Sequence, residues 1–289
     1  MMSHSMQDMI YLDYAASTPV DAQVLATMNE VHAGPAGAAN ASSTHAAGRQ
    51  AAAIAEMARE QLAALLGAEP ANLIWTSGAT ESDNLAIAGA ARFRSHRGRH
   101  LISMPTEHKA VCDVMDALQR DGFDITWLSP EPDGRLDLDK LASAIRTDTQ
   151  LVSVMHVNNE TGVIQDIEAI GALCRERDVL YHCDAAQSVG KLPIDLARMP
   201  VDLMSITAHK VYGPQGVGAL YIADRHGCDV FPLLHGGGQE RKIRPGTLAV
   251  HLIAGLGKAA EIAAERMQEN LAHVTALRNL LWQRISALP

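Results

Sequence analysis

Four short segments carry side chains whose types and spacing suit covalent and proton-transfer chemistry: S-G-A-T-E-S-D-N (77 to 84), P-T-E-H-K-A-V (105 to 111), D-A-A-Q-S (184 to 188) and T-A-H-K (207 to 210). The first is a glycine-bearing turn entering a helix, where free N–H groups and the positive end of the helix dipole form a cup for an anion such as phosphate. The others supply an imidazole, His108, a carboxylate, Asp184, and an amine, Lys210, beside a second imidazole, His209. Each has a plainer reading when taken singly. Gly78 and Thr80 then cap a helix, Asp184 caps the next one, His108 is a satisfied interior histidine and Lys210 is a surface charge.

The elements around these segments bring them together. Short apolar runs at 73 to 77, 100 to 104, 125 to 128, 151 to 155, 179 to 183, 202 to 206 and 217 to 222 read as strands. They alternate with stretches of helical spacing at 80 to 96, 108 to 121, 137 to 146 and 166 to 177. That alternation predicts an α/β fold, a doubly wound and mostly parallel sheet covered by helices. An Ala-rich helix over 44 to 66 precedes it, stopped by Gly67, and helical pattern returns from Leu248 to Leu288 after the glycine-rich loop 235 to 247. Ligands of such sheets bind outside the carboxyl ends of the strands, which is where all four segments fall.

A phosphate cup, a carboxylate, an imidazole and a lysine on one crevice meet the needs of a pyridoxal phosphate site. A lysine amine must form an imine with the aldehyde, which calls for a pKa lowered by burial or nearby positive charge. Lys210 fits. A carboxylate must keep the pyridine nitrogen protonated so that the ring withdraws electrons, and Asp184 fits. Gln187, three residues on, is one helical turn away and suits the phenolic oxygen, and His108 offers an aromatic face to the ring.

The chain resembles the cysteine desulfurases of the class V aminotransferase family, of the iron–sulfur cluster and tRNA-thiolation type. The likeness runs in order through Y-L-D-Y-A-A-S-T-P (11 to 19), N-A-S-S-T-H (40 to 45), the 77 to 84 and T-E-H-K-A-V segments, M-H-V-N-N-E-T-G (155 to 162), H-C-D-A-A-Q-S-V-G-K (182 to 191), H-K-V-Y-G-P-Q-G-V-G-A-L-Y (209 to 221) and H-G-G-G-Q-E-R (235 to 241). It implies a fold type I large domain with a seven-stranded sheet and a homodimer with active sites near the subunit interface. It further implies Lys210 and His108 as the catalytic residues, Lys210 as Schiff-base lysine and proton shuttle and His108 stacked on the ring and assisting proton transfer, with Asp184 and Gln187 on the pyridine nitrogen and phenolic oxygen. Thr80, Thr207 and His209 would bind the phosphate, Thr247 the neighbouring subunit's phosphate, and Asn159 would lie near the substrate carboxylate. Asn159 and Glu160 read equally as a turn before Gly162.

The likeness divides the chain into an N-terminal segment (1 to 20), a cofactor-binding large domain (21 to 260) and the start of a C-terminal helical region (261 to 289). On that likeness these residues are expected to lack the family's small domain, and with it the loop cysteine whose thiolate takes the sulfur and the arginine that clamps the substrate carboxylate. Cys112, Cys174, Cys183 and Cys228 stand outside that context, and Cys183 alternates with Asp184 along its strand and is expected to point into packing. Thr207 and Pro245 replace residues that are often serine in the family; threonine keeps the hydroxyl, and Pro245 stiffens the turn.

With 47% apolar and 20% charged residues and a formal charge of -9, the chain is globular and unsuited to broad binding of nucleic acid. Four scattered cysteines and no long apolar run point to a reducing, cytoplasmic setting and away from membranes. Neither zinc ligation by His156, His182 and His209 nor a nucleotide loop at 236 to 238 has the required spacing. Arg241 and Arg244 are expected at a dimer interface or a phosphate. The leading expectation is a desulfurase that acts on L-cysteine and passes sulfur to an acceptor or scaffold protein. The alternatives are a cofactor-binding but incomplete subunit or scaffold, which the apolar stripe of Leu271, Val274, Leu277, Leu281 and Ile285 would suit, and another class V reaction.

Overall fold

The computed structural model describes residues 10 to 288; residues 1 to 9 of the expected N-terminal segment and Pro289 lie outside the described residues. Seven strands form one sheet: β1 (Leu73–Thr76), β2 (His100–Ser103), β3 (Asp124–Trp127), β4 (Thr149–Ser153), β5 (Leu180–Asp184), β6 (Leu203–Thr207) and β7 (Gly218–Ile222). Their order is β1-β7-β6-β5-β4-β2-β3, with only β7 antiparallel to its neighbours. The runs of Leu, Ile and Val are buried on both faces in every strand except edge strand β3, whose first residue is exposed.

Seven helices surround the sheet: α1 (Ala22–Ala33), α2 (Ala46–Leu66), α3 (Ala79–Phe93), α4 (Lys109–Arg120), α5 (Leu138–Ala144), α6 (Ile167–Glu176) and α7 (Val250–Ile285). Sequence pattern located all but α1, which buries only Val24 and therefore carries little apolar periodicity. Asp21 caps it by accepting the Gln23 N–H at 2.8 Å. Gly67 ends α2 in the left-handed conformation, φ 61°.

Helices α1 and α2 pack along the first half of α7, and α3 lies against β6 and β7. The second half of α7 carries Leu271, Val274, Leu277, Leu281 and Ile285 exposed, 39 to 60%. Helix α7 runs unbroken across residue 260. No helix among the described residues is long and apolar enough to cross a membrane. The sheet order reverses between β2 and β4, so the segments after these strands flank the crevice in which open α/β sheets bind ligands.

Candidate active site

A cleft of about 850 Å³ opens at the strand ends and is lined by Thr80, His108, Asn159, Asp184, Gln187, Thr207, His209 and Lys210. Eight of the nine residues singled out in the sequence therefore share one cavity. The ninth, Thr247, is exposed at the end of the glycine-rich loop and lies outside that cavity.

One wall is the turn from β1 into α3. Gly78 sits at φ 148°, a conformation open to glycine, and Gly218 on β7 permits its close approach, since a Cβ there would stand 2.7 Å from Gly78 Cα. The first-turn N–H groups of α3 have no acceptor within the helix and face an anion's natural position. Glu81 closes one side of this cup by accepting the Ser77 N–H at 2.6 Å and the Arg244 Nε–H at 2.8 Å. Burial works to raise its carboxyl, but the bonds from Arg244 and Ser77 prevail and hold it below the usual range. Arg244, expected at an interface or a phosphate, is thus paired within its own chain.

His108 caps α4, its Nδ1 accepting the Ala110 N–H at 3.1 Å, so the proton of the neutral ring sits on Nε2. Asp184 ends β5, is 4% exposed, and accepts the Ala186 N–H at 2.8 Å. Burial raises its carboxyl, opposed by that N–H and then by His108 and Lys210. Behind it lies Asp83, wholly buried with neither oxygen hydrogen-bonded. Burial and then the Asp184 charge hold Asp83 well above the usual range, so of these two carboxyls Asp83 is the one that holds a proton more tightly.

Lys210 follows β6 on a 3-10 turn, Ala208–Lys210. Burial pushes its ammonium down, with Asp184 pulling the other way, which favours a reactive amine. A strap formed by residues 15 to 18 holds this turn. Thr18 Oγ1 donates to the His209 carbonyl at 3.0 Å and accepts the Tyr212 N–H at 2.8 Å, and Ser17 Oγ lies 3.2 Å from His209 Nδ1. Tyr212 is held at φ 60°, a left-handed conformation costing a bulky residue about 1–2 kcal/mol.

Gln187 was expected one helical turn beyond Asp184, but the segment after β5 is a series of turns, and the side chain reaches the cleft from there. The turn after β4 is built by Asn158, whose Oδ1 accepts the N–H groups of Glu160 and Thr161 at 2.9 and 2.8 Å. Asn159 is left to line the cleft, its Nδ2 donating to Glu160 Oε1 at 2.8 Å.

None of the four cysteines is held as a thiolate. Cys183 is fully buried and pushed well above its usual pKa by burial, Cys174 and Cys228 are pushed up to about 12, and Cys112 is raised by burial and then by Glu107. Among the described residues no three His, Cys, Asp or Glu side chains form a metal cluster. His182 is hydrogen-bonded between Ser153 and Ser205, and His209 faces Ser17.

Sequence reading missed Ser17, Thr18, Glu81 and Asp83 as parts of the site. Ser17 and Thr18 stand in the Y-L-D-Y-A-A-S-T-P block, whose position in the chain gives no sign that it folds back onto Lys210. Pyridoxal phosphate fits the groups present: N–H donors and hydroxyls for a phosphate, an anion for a ring nitrogen, an amide for a phenolic oxygen and an amine for an aldehyde.

Residues 10 to 289 match the family model described as aminotransferase class-V. The chain is similar to the protein named cysteine desulfurase IscS of Enterobacter sp. (strain 638), at 52% identity over 277 residues covering 96% of this chain and 69% of the relative. Among solved structures it is similar to a NifS-like protein, with TM-score 0.92 and 39% identity over 96% of this chain and 75% of that one. It is also similar to a structure described as SspA in complex with cysteine, with TM-score 0.83 and 45% identity over 88% of this chain and 72% of that one.

Proposed function

The chain belongs to the aminotransferase class-V family, and on that premise we propose that it is a pyridoxal phosphate-dependent cysteine desulfurase in which Lys210 carries the cofactor. The observation that carries this reading is the convergence of Lys210, Asp184 and the α3 N-terminus on one cleft from three different strand ends. The reaction converts L-cysteine to L-alanine: the Cβ–Sγ bond breaks, the carbon gains a proton, and sulfur passes to an acceptor thiol as a persulfide. The four cysteines described above are not that acceptor.

Pyridoxal phosphate supplies an aldehyde that condenses with amines and a ring that draws electron density from the substrate α-carbon. The protein's own groups do the rest. Asp184 would hold the proton at the pyridine nitrogen. Gln187 would donate to the phenolic oxygen, and the first turn of α3, Thr80, Thr207 and His209 would hold the phosphate. His108 covers the ring and holds a proton at Nε2. Lys210 would hold the cofactor through its Nζ and, as an amine, would take up and return the proton at the substrate α-carbon. Asn159 orients the substrate carboxylate.

The reading extends to a homodimer in which Thr247 reaches the partner's phosphate, a role that its exposed position outside the cleft supports. It also extends to a large domain over 21 to 260, to a cytoplasmic setting, which the four free cysteines support, and to sulfur delivery for iron–sulfur or thiolation chemistry. Borohydride reduction of the yellow protein followed by intact-mass measurement tests it. One reduced cofactor is expected per chain, lost in Lys210→Ala, with sulfide and alanine released from L-cysteine under reductant. Wild-type protein without an adduct would overturn the reading.

A further inference from the structure

Gln187 lines the cleft next to Asp184, and both ends of its amide are already engaged. Its Oε1 accepts from Lys191 Nζ at 3.0 Å, and its Nε2 donates to the Ala15 carbonyl at 2.8 Å. An ammonium can only donate and a carbonyl can only accept, so the two contacts select the same amide orientation from opposite sides. One N–H of Nε2 serves Ala15, and the other remains for a ligand. We propose that Lys191 is a positioning residue of this site, clamping Gln187 so that its nitrogen, and not its oxygen, is turned to the bound cofactor. The proposal rests on the reading of Gln187 as the partner of the phenolic oxygen.

Further geometry supports a built clamp. Gly190 has φ 73°, and a Cβ there would stand 2.3 Å from Val211 Cγ2, so the turn that carries Lys191 is pressed against the residue following Lys210. Lys191 and Lys210 share the wall of a second cavity of about 220 Å³, together with Asp21, Tyr212 and Arg266. Burial and then the Lys210 charge bring Lys191 down to about 8, which leaves it mostly charged, and a donor, at neutral pH. An exposed lysine would be free to leave Gln187; this one is half-buried and held.

The test uses reconstituted holoprotein and follows the visible band of the lysine-bound cofactor against pH, alongside cofactor retention in equilibrium dialysis. A donor to the phenolic oxygen favours its ionised form, so losing it raises the pH at which the band changes. Lys191→Met is expected to raise that midpoint by about one unit and to loosen the cofactor. Lys191→Gln is expected to shift it in the same direction, and Lys191→Arg to restore the wild-type value. In a Gln187→Leu background Lys191→Met should add nothing.

An undiminished shift in that background would assign the effect to charge alone and overturn the clamp. So would a folded Lys191→Met protein with an unmoved midpoint. A Gln187→Leu single variant with the wild-type midpoint would instead remove the underlying role of Gln187, and wild-type protein without a band would remove the cofactor reading itself.

Discussion

His182 Nε2 stands 3.5 Å from Asp83 Oδ1, and neither side chain has any exposure to solvent. The contact is not an ion pair. Burial drives His182 down to about 3 and, with the Asp184 charge, holds Asp83 well above the usual carboxylate range, so both shifts disfavour the charged forms. The pair lies behind Asp184, the carboxyl that lines the cleft and whose pKa burial also raises.

Asp83→Asn should stabilise the protein increasingly as pH rises. A carboxyl whose folded pKa is raised keeps its proton in the native state while the unfolded chain releases it, so stability is lost as pH climbs past the ordinary value of 3.8. Asparagine has no proton to lose. Thermal midpoints at pH 5 and pH 8 check this: the gap between variant and wild type should widen at pH 8, and parallel midpoints would refute it.

His156 is buried with Nδ1 lacking a hydrogen bond, and burial lowers it to about 4. Its unfolded form takes up a proton below about pH 6.5 while the native form does not, so stability falls as pH drops toward 4. His156→Gln removes about one proton from this uptake. Urea unfolding between pH 6 and 4.5 should then show a pH slope smaller by about 1.4 kcal/mol per unit.

Thr18 bridges the backbone on both sides of Lys210. Thr18→Val leaves the Tyr212 N–H without its partner and the His209 carbonyl with only the Thr18 backbone N–H at 2.8 Å, a loss of about 1–3 kcal/mol in urea unfolding. Equilibrium dialysis should show weaker cofactor retention, and Thr18→Ser should restore both properties.

Arg59 and Glu240 join α2 to the glycine-rich loop at 2.9 Å, with side chains only 9% and 5% exposed. Glu240 also accepts the Trp75 N–H at 2.7 Å, and Glu240, Arg241 and Lys242 hold positive φ in succession. Arg59→Ala strands a buried carboxylate and should cost about 3–5 kcal/mol in chemical denaturation. Arg59→Met with Glu240→Met should cost less than Arg59→Ala alone, because no charge is left unpaired.

How much of the site was legible depended on where each residue sits in its segment. Thr80, His108, Asp184 and Lys210 each follow a run whose composition already marks it as a strand, and sheet topology sends all such positions to one edge. Gln187 was placed beside Asp184, although by turns and not by the helix expected. The pairing of Arg244 with Glu81 was not legible, because the two are 163 residues apart, beyond the reach of any local pattern.

The sequence by itself determined the seven strands, six of the seven helices and the loaded strand ends, because periodicity and turn chemistry are properties of neighbouring residues. Only the tertiary structure decided which carboxyl keeps a proton, which way the Gln187 amide faces, and that Ser17 meets His209 across 192 residues. Those outcomes depend on burial and on the other charges and donors within a few ångströms, and these exist only once distant segments have packed together.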